Sequence, residues 1–365
     1  MTDPLKPSTS KADKNFNLDE LKSALEDIDE REVVLPFESL ADVAAYIKKK
    51  QPKKMVVLLG AGISTSAGIP DFRSPQTGLY HNVQKYGVKN PEDVFDITFF
   101  RKNPLPFYDV ATGMFKIPVK PTVAHYFLRL LYDHGHLLRI YTQNIDLLES
   151  ATGIDNDKIV TAHGSHQSST CLKCKKKYTK DFMEEHLRYG KKLVPYCQCG
   201  GVIKPDITFY GEDLPRRFYE LFKSDFKKTD FLLIMGTSLT VMPVASLPAF
   251  VDSKIPRVLI NREPVGEMVL NYNSRKNTRD YFHAGDTDRV CRQLAQLLDW
   301  EKKLDSIIKE QNANLDAAAK ELEKRNLAAS GSDGDAKPGA STSPAEGDTE
   351  KDGKSSPITK KCELH

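Results

Sequence analysis

No apolar stretch in this 365-residue chain approaches the ~18 residues that a membrane-spanning helix requires, which excludes a helical span. The opening residues, MTDPLKPSTSKADKNF, hold no apolar signal core, and that absence points to cytoplasm or nucleus, where thiols stay reduced. Strong charge of either sign is also missing. Fifty-three Lys and Arg against 50 Asp and Glu leave a net +3, which argues against a strongly basic nucleic-acid surface. Residues 330–361 have no aromatic side chain and, prolines aside, one apolar side chain larger than alanine, Ile358. Such a segment cannot offset its ordering entropy and is predicted to be disordered. Ser343-Pro344 and Ser356-Pro357 there are either phosphorylation sites or plain solvated linker. The terminal CELH has Glu363 where a prenylation box needs an aliphatic residue, so lipidation is excluded.

What is present is a chain that is 39% hydrophobic, long enough for one large domain or a domain with a small insert. Strands are predicted at MVVLL (55–59), LLRIY (137–141), FLLIM (231–235) and RVLI (257–260). Helical patterns lie between them. TVAHYFLRLLYDHG sets Val123, Phe127, Leu130 and Leu131 on one face, and RRFYELFKSDFKK does the same with Phe218, Leu221, Phe222 and Phe226. The alternation predicts an α/β fold with a doubly wound, Rossmann-like parallel sheet.

Ligands of such sheets bind beyond the carboxyl ends of the strands. The first strand runs into a glycine-rich turn with glycines at 60, 62 and 68, not the G-x-G-x-x-G of a hydride-transfer fold. The other strands end in Thr142-Gln143-Asn144-Ile145-Asp146, Gly236-Thr237-Ser238 and Asn261-Arg262-Glu263. Four strand ends with small or polar groups on one edge point to an extended ligand with several polar groups, such as NAD.

GAGISTSAGIPDFRS, TQNID, AHG, KPDITFYGE, GTSL and NRE, in that order over residues 33–300, resemble the sirtuin family of NAD-dependent protein lysine deacylases, nearest to its cytoplasmic tubulin-deacetylating branch and fungal relatives. The resemblance implies that NAD is consumed. The nicotinamide–ribose bond breaks, and the acyl group of a modified lysine passes to ADP-ribose. By resemblance the cofactor is held by Ala61, Gly62, Ile63, Ser64 and Thr65, with Asp71, Phe72, Arg73 and Tyr80 closing over it. Phe72 would keep water from the reacting carbon and Arg73 would face phosphate; Asp71 and Arg73 could also staple their own loop, which does not exclude the cofactor role. Gln143 and Asn144 would hold ribose and an ordered water, while Ile145 and Asp146 would clamp the nicotinamide carboxamide. Gly236, Thr237, Ser238, Asn261, Arg262, Glu263 and Thr287 complete the implied cofactor set. His163 would be the general base for the ribose hydroxyls, with Asn144 beside it as the second catalytic residue; an imidazole titrating near ~6.5 keeps a useful neutral fraction in cells.

On the substrate side the resemblance makes Ile207 and Phe209 walls of an acyl-lysine tunnel, though either could be ordinary core packing. Gly211, Glu212 and Val241 would belong to two edges, FYGE and VMPV, between which an acetylated peptide adds as a strand, read through its backbone and so with loose sequence selectivity. Tubulin, histones and other proteins are the substrates the resemblance suggests. Relatives acting on acidic acyl groups carry Tyr-x-x-Arg; here Val83 follows Tyr80 at that spacing, so neutral acyl groups are expected.

Cys171 and Cys174 (CLKC) and Cys197 and Cys199 (CQCG), 22 residues apart in a lysine-rich insert, predict one structural zinc ion. The second pair is one residue shorter than the usual knuckle. Cys291 is predicted to be a buried core thiol and Cys362 a free one. LDELKSALEDI (18–28) reads as a helix that either packs on the domain or serves as an export signal, and residues 300–326 as a further helical segment. The expected organisation is an N-terminal extension (1–32), a catalytic domain (33–300) with the zinc module inserted at about 165–204, a helical segment (301–328) and a tail (329–365). No membrane partner or sequence-specific nucleic-acid partner is expected. Mono-ADP-ribosyl transfer and an NAD-responsive binding module are the alternatives.

Overall fold

The computed structural model describes residues 37–69, 86, 88, 90–115, 119–190 and 192–330. The predicted 18–28 helix, Asp71, Phe72, Arg73, Tyr80, Val83, Cys362 and the tail beyond 330 lie outside the described residues.

Helix α1 (Leu40–Lys50) leads into β1 (Met55–Leu59). Next come α2 (Ile97–Lys102), α3 (Leu105–Phe115), α4 (Val123–Asp133), β2 (Leu137–Thr142), α5 (Leu148–Ala151) and β3 (Ile159–Thr161). A smaller group follows: β4 (Gly164–Cys171), β5 (Lys177–Thr179), α6 (Lys180–Tyr189) and β6 (Ile203–Ile207). The chain returns through α7 (Arg216–Lys228), β7 (Phe231–Met235), β8 (Arg257–Asn261), β9 (Asp280–Ala284), α8 (Thr287–Leu297) and α9 (Glu301–Ser330).

The large sheet has order β3-β2-β1-β7-β8-β9 and is parallel throughout. The apolar runs explain it. All five residues of β1 are buried, and they alternate between two cores. Met55, Val57 and Leu59 face α1, α4 and α8, while Val56 and Leu58 face the Phe218, Phe222 and Phe226 stripe of α7. Strand β7 alternates in the same way, with Phe231, Leu233 and Met235 on one side and Leu232 and Ile234 on the other. A strand covered on both faces needs no polar positions, so it reads as a continuous apolar run.

From β1 the chain moves outward to β2 and β3, then returns to place β7 on the other side of β1. The crevice beyond the carboxyl ends of β1 and β7 is therefore the switch point of the topology. Strands β5, β4 and β6 form a separate antiparallel sheet. Gly164 of β4 pairs with Ile207 of β6, which brings the base of this sheet to the end of β3.

Cys291 is fully buried in the core, as predicted. The first turns of α9 also pack there: Leu304 is buried, Ile307 and Ile308 lean on the core, and the Tyr126 hydroxyl donates to Asn312 Oδ1 at 3.0 Å. A division into two units falls between Leu315 and Asp316, and described residues 316–330 simply continue the helix. Among the described residues no helix is long and apolar enough to cross a membrane.

Candidate active site

The loops after β1 and β7 meet backbone to backbone. Gly60 N donates to Met235 O at 3.1 Å and Gly62 N to Gly236 O at 2.7 Å. A Cβ on Gly62 would lie 2.7 Å from Gly236 Cα, and one on Gly236, whose φ is +58°, would lie 2.6 Å from Ile63 N. Only glycine allows this approach. It ties the turn that begins at Gly60 to the loop after β7. Thr287, at the start of α8, closes the far side by donating from its hydroxyl to Gly62 O at 3.3 Å, and Thr65 Oγ1 donates to the same carbonyl at 3.2 Å.

The loop after β2 is tied to both neighbours. Gln143 Nε2 donates to Leu59 O (3.2 Å) and to Thr237 Oγ1 (2.8 Å). Asn144 is buried and donates Nδ2–H to Gly60 O (3.1 Å) and to Ser64 Oγ (3.3 Å). Ser64 in turn donates to Asp146 Oδ2 at 2.7 Å. Burial pushes the Asp146 carboxyl above its ordinary value, opposed by the Leu148 backbone N–H and the Ser64 hydroxyl. Ile145 is half-buried against the neighbouring core.

His163 stands at the junction of the two sheets. Its Nδ1 lies 3.0 Å from Gln143 O, and Thr208 N donates to His163 O at 2.8 Å. A carbonyl can only accept, so Nδ1 carries the proton and Nε2 is the basic atom. Burial lowers the imidazole below its ordinary value, with the Gln143 carbonyl acting in the opposite direction. At the end of β8, Asn261 Nδ2 donates to Glu263 O (2.9 Å), and the exposed Arg262 pairs with Asp286 (3.1 Å). Ser238 and Thr240 hydroxyls lie 2.9 Å apart in the loop after β7.

Ile207 and Phe209 are both buried, and the Phe209 ring sits 5.2 Å from Phe100 and 5.0 Å from Phe107. The backbone just beyond is largely committed. Tyr210 exchanges hydrogen bonds with Phe95 O and Ile97 N, and Phe209 with Glu212. Glu212 Oε2 accepts from Phe209 N (2.9 Å) and from the buried Lys204 Nζ (2.8 Å), whose ammonium also donates to Ile207 O (2.6 Å) and lies 4.1 Å above the Phe209 ring. Val241 O accepts from Ala245 N at 3.0 Å. The bulky side chains exposed beside these two segments are Tyr210 and Met242.

The four cysteine sulfurs lie within 4.8 Å of one another, with Cys171–Cys199 and Cys174–Cys197 at 3.5 Å. These spacings are far beyond a disulfide bond, and the cysteines are free thiols. Zn–S bonds of about 2.3 Å in a tetrahedron put sulfurs ~3.8 Å apart, so the cluster fits one closed zinc site. The short Cys-x-Cys spacing is accommodated because Gly200, at φ +77°, turns the chain at once, and Cys197 N donates to Gly201 O at 2.8 Å.

The structure thus brings Ala61–Thr65, Gln143–Asp146, Gly236–Thr237 and Thr287 to one crevice, with His163 at its edge. Sequence reasoning did not single out Lys204, which holds the turn after β6, or His125 and Glu149, which are buried behind the crevice.

A doubly wound sheet with a polar crevice at its switch point, joined to a four-thiolate module, defines a nucleotide-binding α/β protein with a structural metal site. The comparisons agree. The Sir2 family model matches residues 60–243. The chain is 43% identical over 306 residues to zebrafish (Danio rerio) NAD-dependent protein deacetylase sirtuin-2, covering 80% of each chain. It is 46% identical over 270 residues to NAD-dependent protein deacetylase hst2 of Schizosaccharomyces pombe, covering 74% of this chain and 79% of the relative. Over 279 residues it is 44% identical to mouse (Mus musculus) NAD-dependent protein deacetylase sirtuin-3, covering 76% and 81%. The chain belongs to the Sir2 family.

Proposed function

We propose that this protein is an NAD-dependent protein lysine deacetylase, with one structural zinc ion on Cys171, Cys174, Cys197 and Cys199. The observation that carries the reading is His163: a half-buried neutral imidazole, its tautomer set by the Gln143 carbonyl, at the edge of a crevice built from four strand ends. NAD supplies the chemistry by giving up nicotinamide, so that its ribose can take the acetyl group from lysine.

The chain's own residues bind, orient and move protons. Ala61–Thr65 and Gly236–Ser238 line the phosphate and ribose side, and Asn261, Arg262, Glu263 and Thr287 close it. Asp71, Phe72, Arg73 and Tyr80 belong to the same reading from their motif. Asn144, anchored on Gly60 O, holds the ribose end in place. Ile145 and Asp146 take the nicotinamide carboxamide, and His163 Nε2 removes a ribose hydroxyl proton. An acetylated peptide lies as an added strand between Gly211–Glu212 and the segment at Val241, flanked by the exposed Tyr210 and Met242. Ile207 and Phe209 sit at 4% and 2% exposure, so each would offer the acyl chain an edge rather than a face. The zinc module carries no reacting group and acts on folding.

The relatives' names support acetylated proteins as substrates; a cytoplasmic location, tubulin and histones as targets, and passage to the nucleus belong to the same proposal. The test is incubation with NAD and an acetyl-lysine peptide. Nicotinamide released in equal amount to free lysine supports deacetylation. ADP-ribose left on protein, or no turnover, overturns it.

A further inference from the structure

Behind the crevice lies a polar cluster that the proposed reaction does not use. His125 on α4, Asp146 after β2 and Glu149 on α5 place one ligand-type atom each within 4.8 Å of one another. His125 and Glu149 are 0% and 1% exposed. On two of these residues one polar atom, His125 Nε2 and Glu149 Oε1, is buried with no hydrogen-bond partner. Unsatisfied polar atoms at such depth are costly, and here two belong to residues of one cluster on different elements.

Thr122 Oγ1 lies 2.8 Å from His125 Nδ1, and Thr122 N lies 3.2 Å from it. A hydroxyl whose proton goes to a carbonyl can only accept from Nδ1–H, which leaves Nε2 as the bare, accepting nitrogen of the ring. The network reaches the crevice by two routes. The Thr122 hydroxyl donates to Ile63 O at 2.9 Å in the loop after β1, and Ser64 of that loop donates to Asp146 Oδ2 at 2.7 Å.

We propose that Glu149 and His125 are positioning residues for the nicotinamide end of the site, acting through Asp146. The inference rests on the reading of Asp146 as the carboxamide partner. Burial raises both carboxyls, and each charge opposes the ionisation of the other. Burial and the Asp146 charge push the Glu149 carboxyl up to about 8, and burial lowers the His125 imidazole to about 3. The cluster then holds a neutral imidazole, a neutral acid and one anion. A neutral Glu149, hydrogen-bonded to Thr142, keeps a second negative charge away from Asp146. Asp146 keeps one fixed charge, and the Ile63–Ser64 turn is braced from behind.

The experiment compares Glu149→Leu, Glu149→Gln and Asp146→Asn in the full chain. It reads KM for NAD, KM for an acetyl-lysine peptide and inhibition by added nicotinamide. Glu149→Leu removes both hydrogen-bonding groups and is expected to weaken nicotinamide inhibition and raise the NAD KM about tenfold, with peptide KM within about twofold. Glu149→Gln keeps a neutral donor and acceptor and should recover both to within about threefold of wild type. A change in neither parameter in Glu149→Leu, or both KM values rising together without rescue by Gln, overturns the proposal. If Asp146→Asn leaves nicotinamide inhibition unchanged, the carboxamide reading itself falls. If Asp146→Asn weakens it and Glu149→Leu does not, only the present inference falls. Where Glu149→Leu does not fold, the infrared spectrum decides. Wild type should show a protonated carboxylic acid at neutral pH that Glu149→Gln lacks, and its absence from wild type overturns the proposal.

Discussion

His163 Nδ1 lies 3.0 Å from the carbonyl oxygen of Gln143, the residue whose side chain also bridges the ends of β1 and β7. One residue thus sets both the tautomer of the candidate base and the spacing of the strands that bear the cofactor loops.

Replacing His163 with alanine is expected to reduce deacetylation by about 10²–10⁴-fold, the usual range for loss of a general base, with the fold and NAD binding retained. Single-turnover assays beside NAD titration would check it. Turnover within about threefold of wild type would remove His163 from the mechanism.

The pH profile carries a sign. The base must be neutral, and burial lowers its titration point below the ordinary ~6.5. The rate should hold as pH falls to that value and decline only below it. A kcat/KM profile with its acid limb above ~6.5 would contradict the assignment.

Lys204 clamps the turn after β6, on the proposed peptide side, through Glu212, Ile207 O and the Phe209 ring. Lys204→Met keeps the bulk and removes the charge. The expected result is a peptide KM raised about tenfold, an NAD KM nearly unchanged, and a stability loss of ~1–3 kcal/mol from the stranded Glu212. Equal rises in both KM values would refute a local role.

Gly236→Ala puts a methyl group 2.6 Å from Ile63 N at a positive φ. Separation of the β1 and β7 loops should cost ~1–3 kcal/mol and weaken NAD binding. Denaturation midpoints and NAD titration test this, and a variant matching wild type in both would show that the close approach is not needed.

Cys197→Ser should release the metal and lower the melting temperature of the domain, because metal affinity is coupled to folding, while NAD affinity in the surviving folded fraction stays the same. Elemental analysis should find one zinc per wild-type chain and about none in the variant. A metal-free wild-type protein with full activity would defeat the zinc assignment.

Much of the large sheet was legible because its signals are local. The runs at 55–59 and 231–235 match β1 and β7 end to end, those at 137–141 and 257–260 fall one residue short of β2 and β8, and the aromatic stripe at 216–228 coincides with α7. The groups at 61–65, 143–146 and 236–237 were legible for the same reason, since each directly follows such a run, whereas His163 and Thr287 came only from the family resemblance. β3 has three residues and β4 reads GSHQSSTC, too short or too polar to announce a strand. Those strands exist because partners distant in sequence pair with them. The paired thiols could be read from spacing, but closure of the Cys-x-Cys side needed the turn at Gly200. Nothing local joins His125 to Glu149, or marks Lys204 as a buried cation. The burial of His125 and Glu149 is set by α4 packing on α5, and that of Lys204 by the β4–β6 pairing and the Phe209 ring; hydrogen bonding and charge state depend on that environment, which only the tertiary structure supplies.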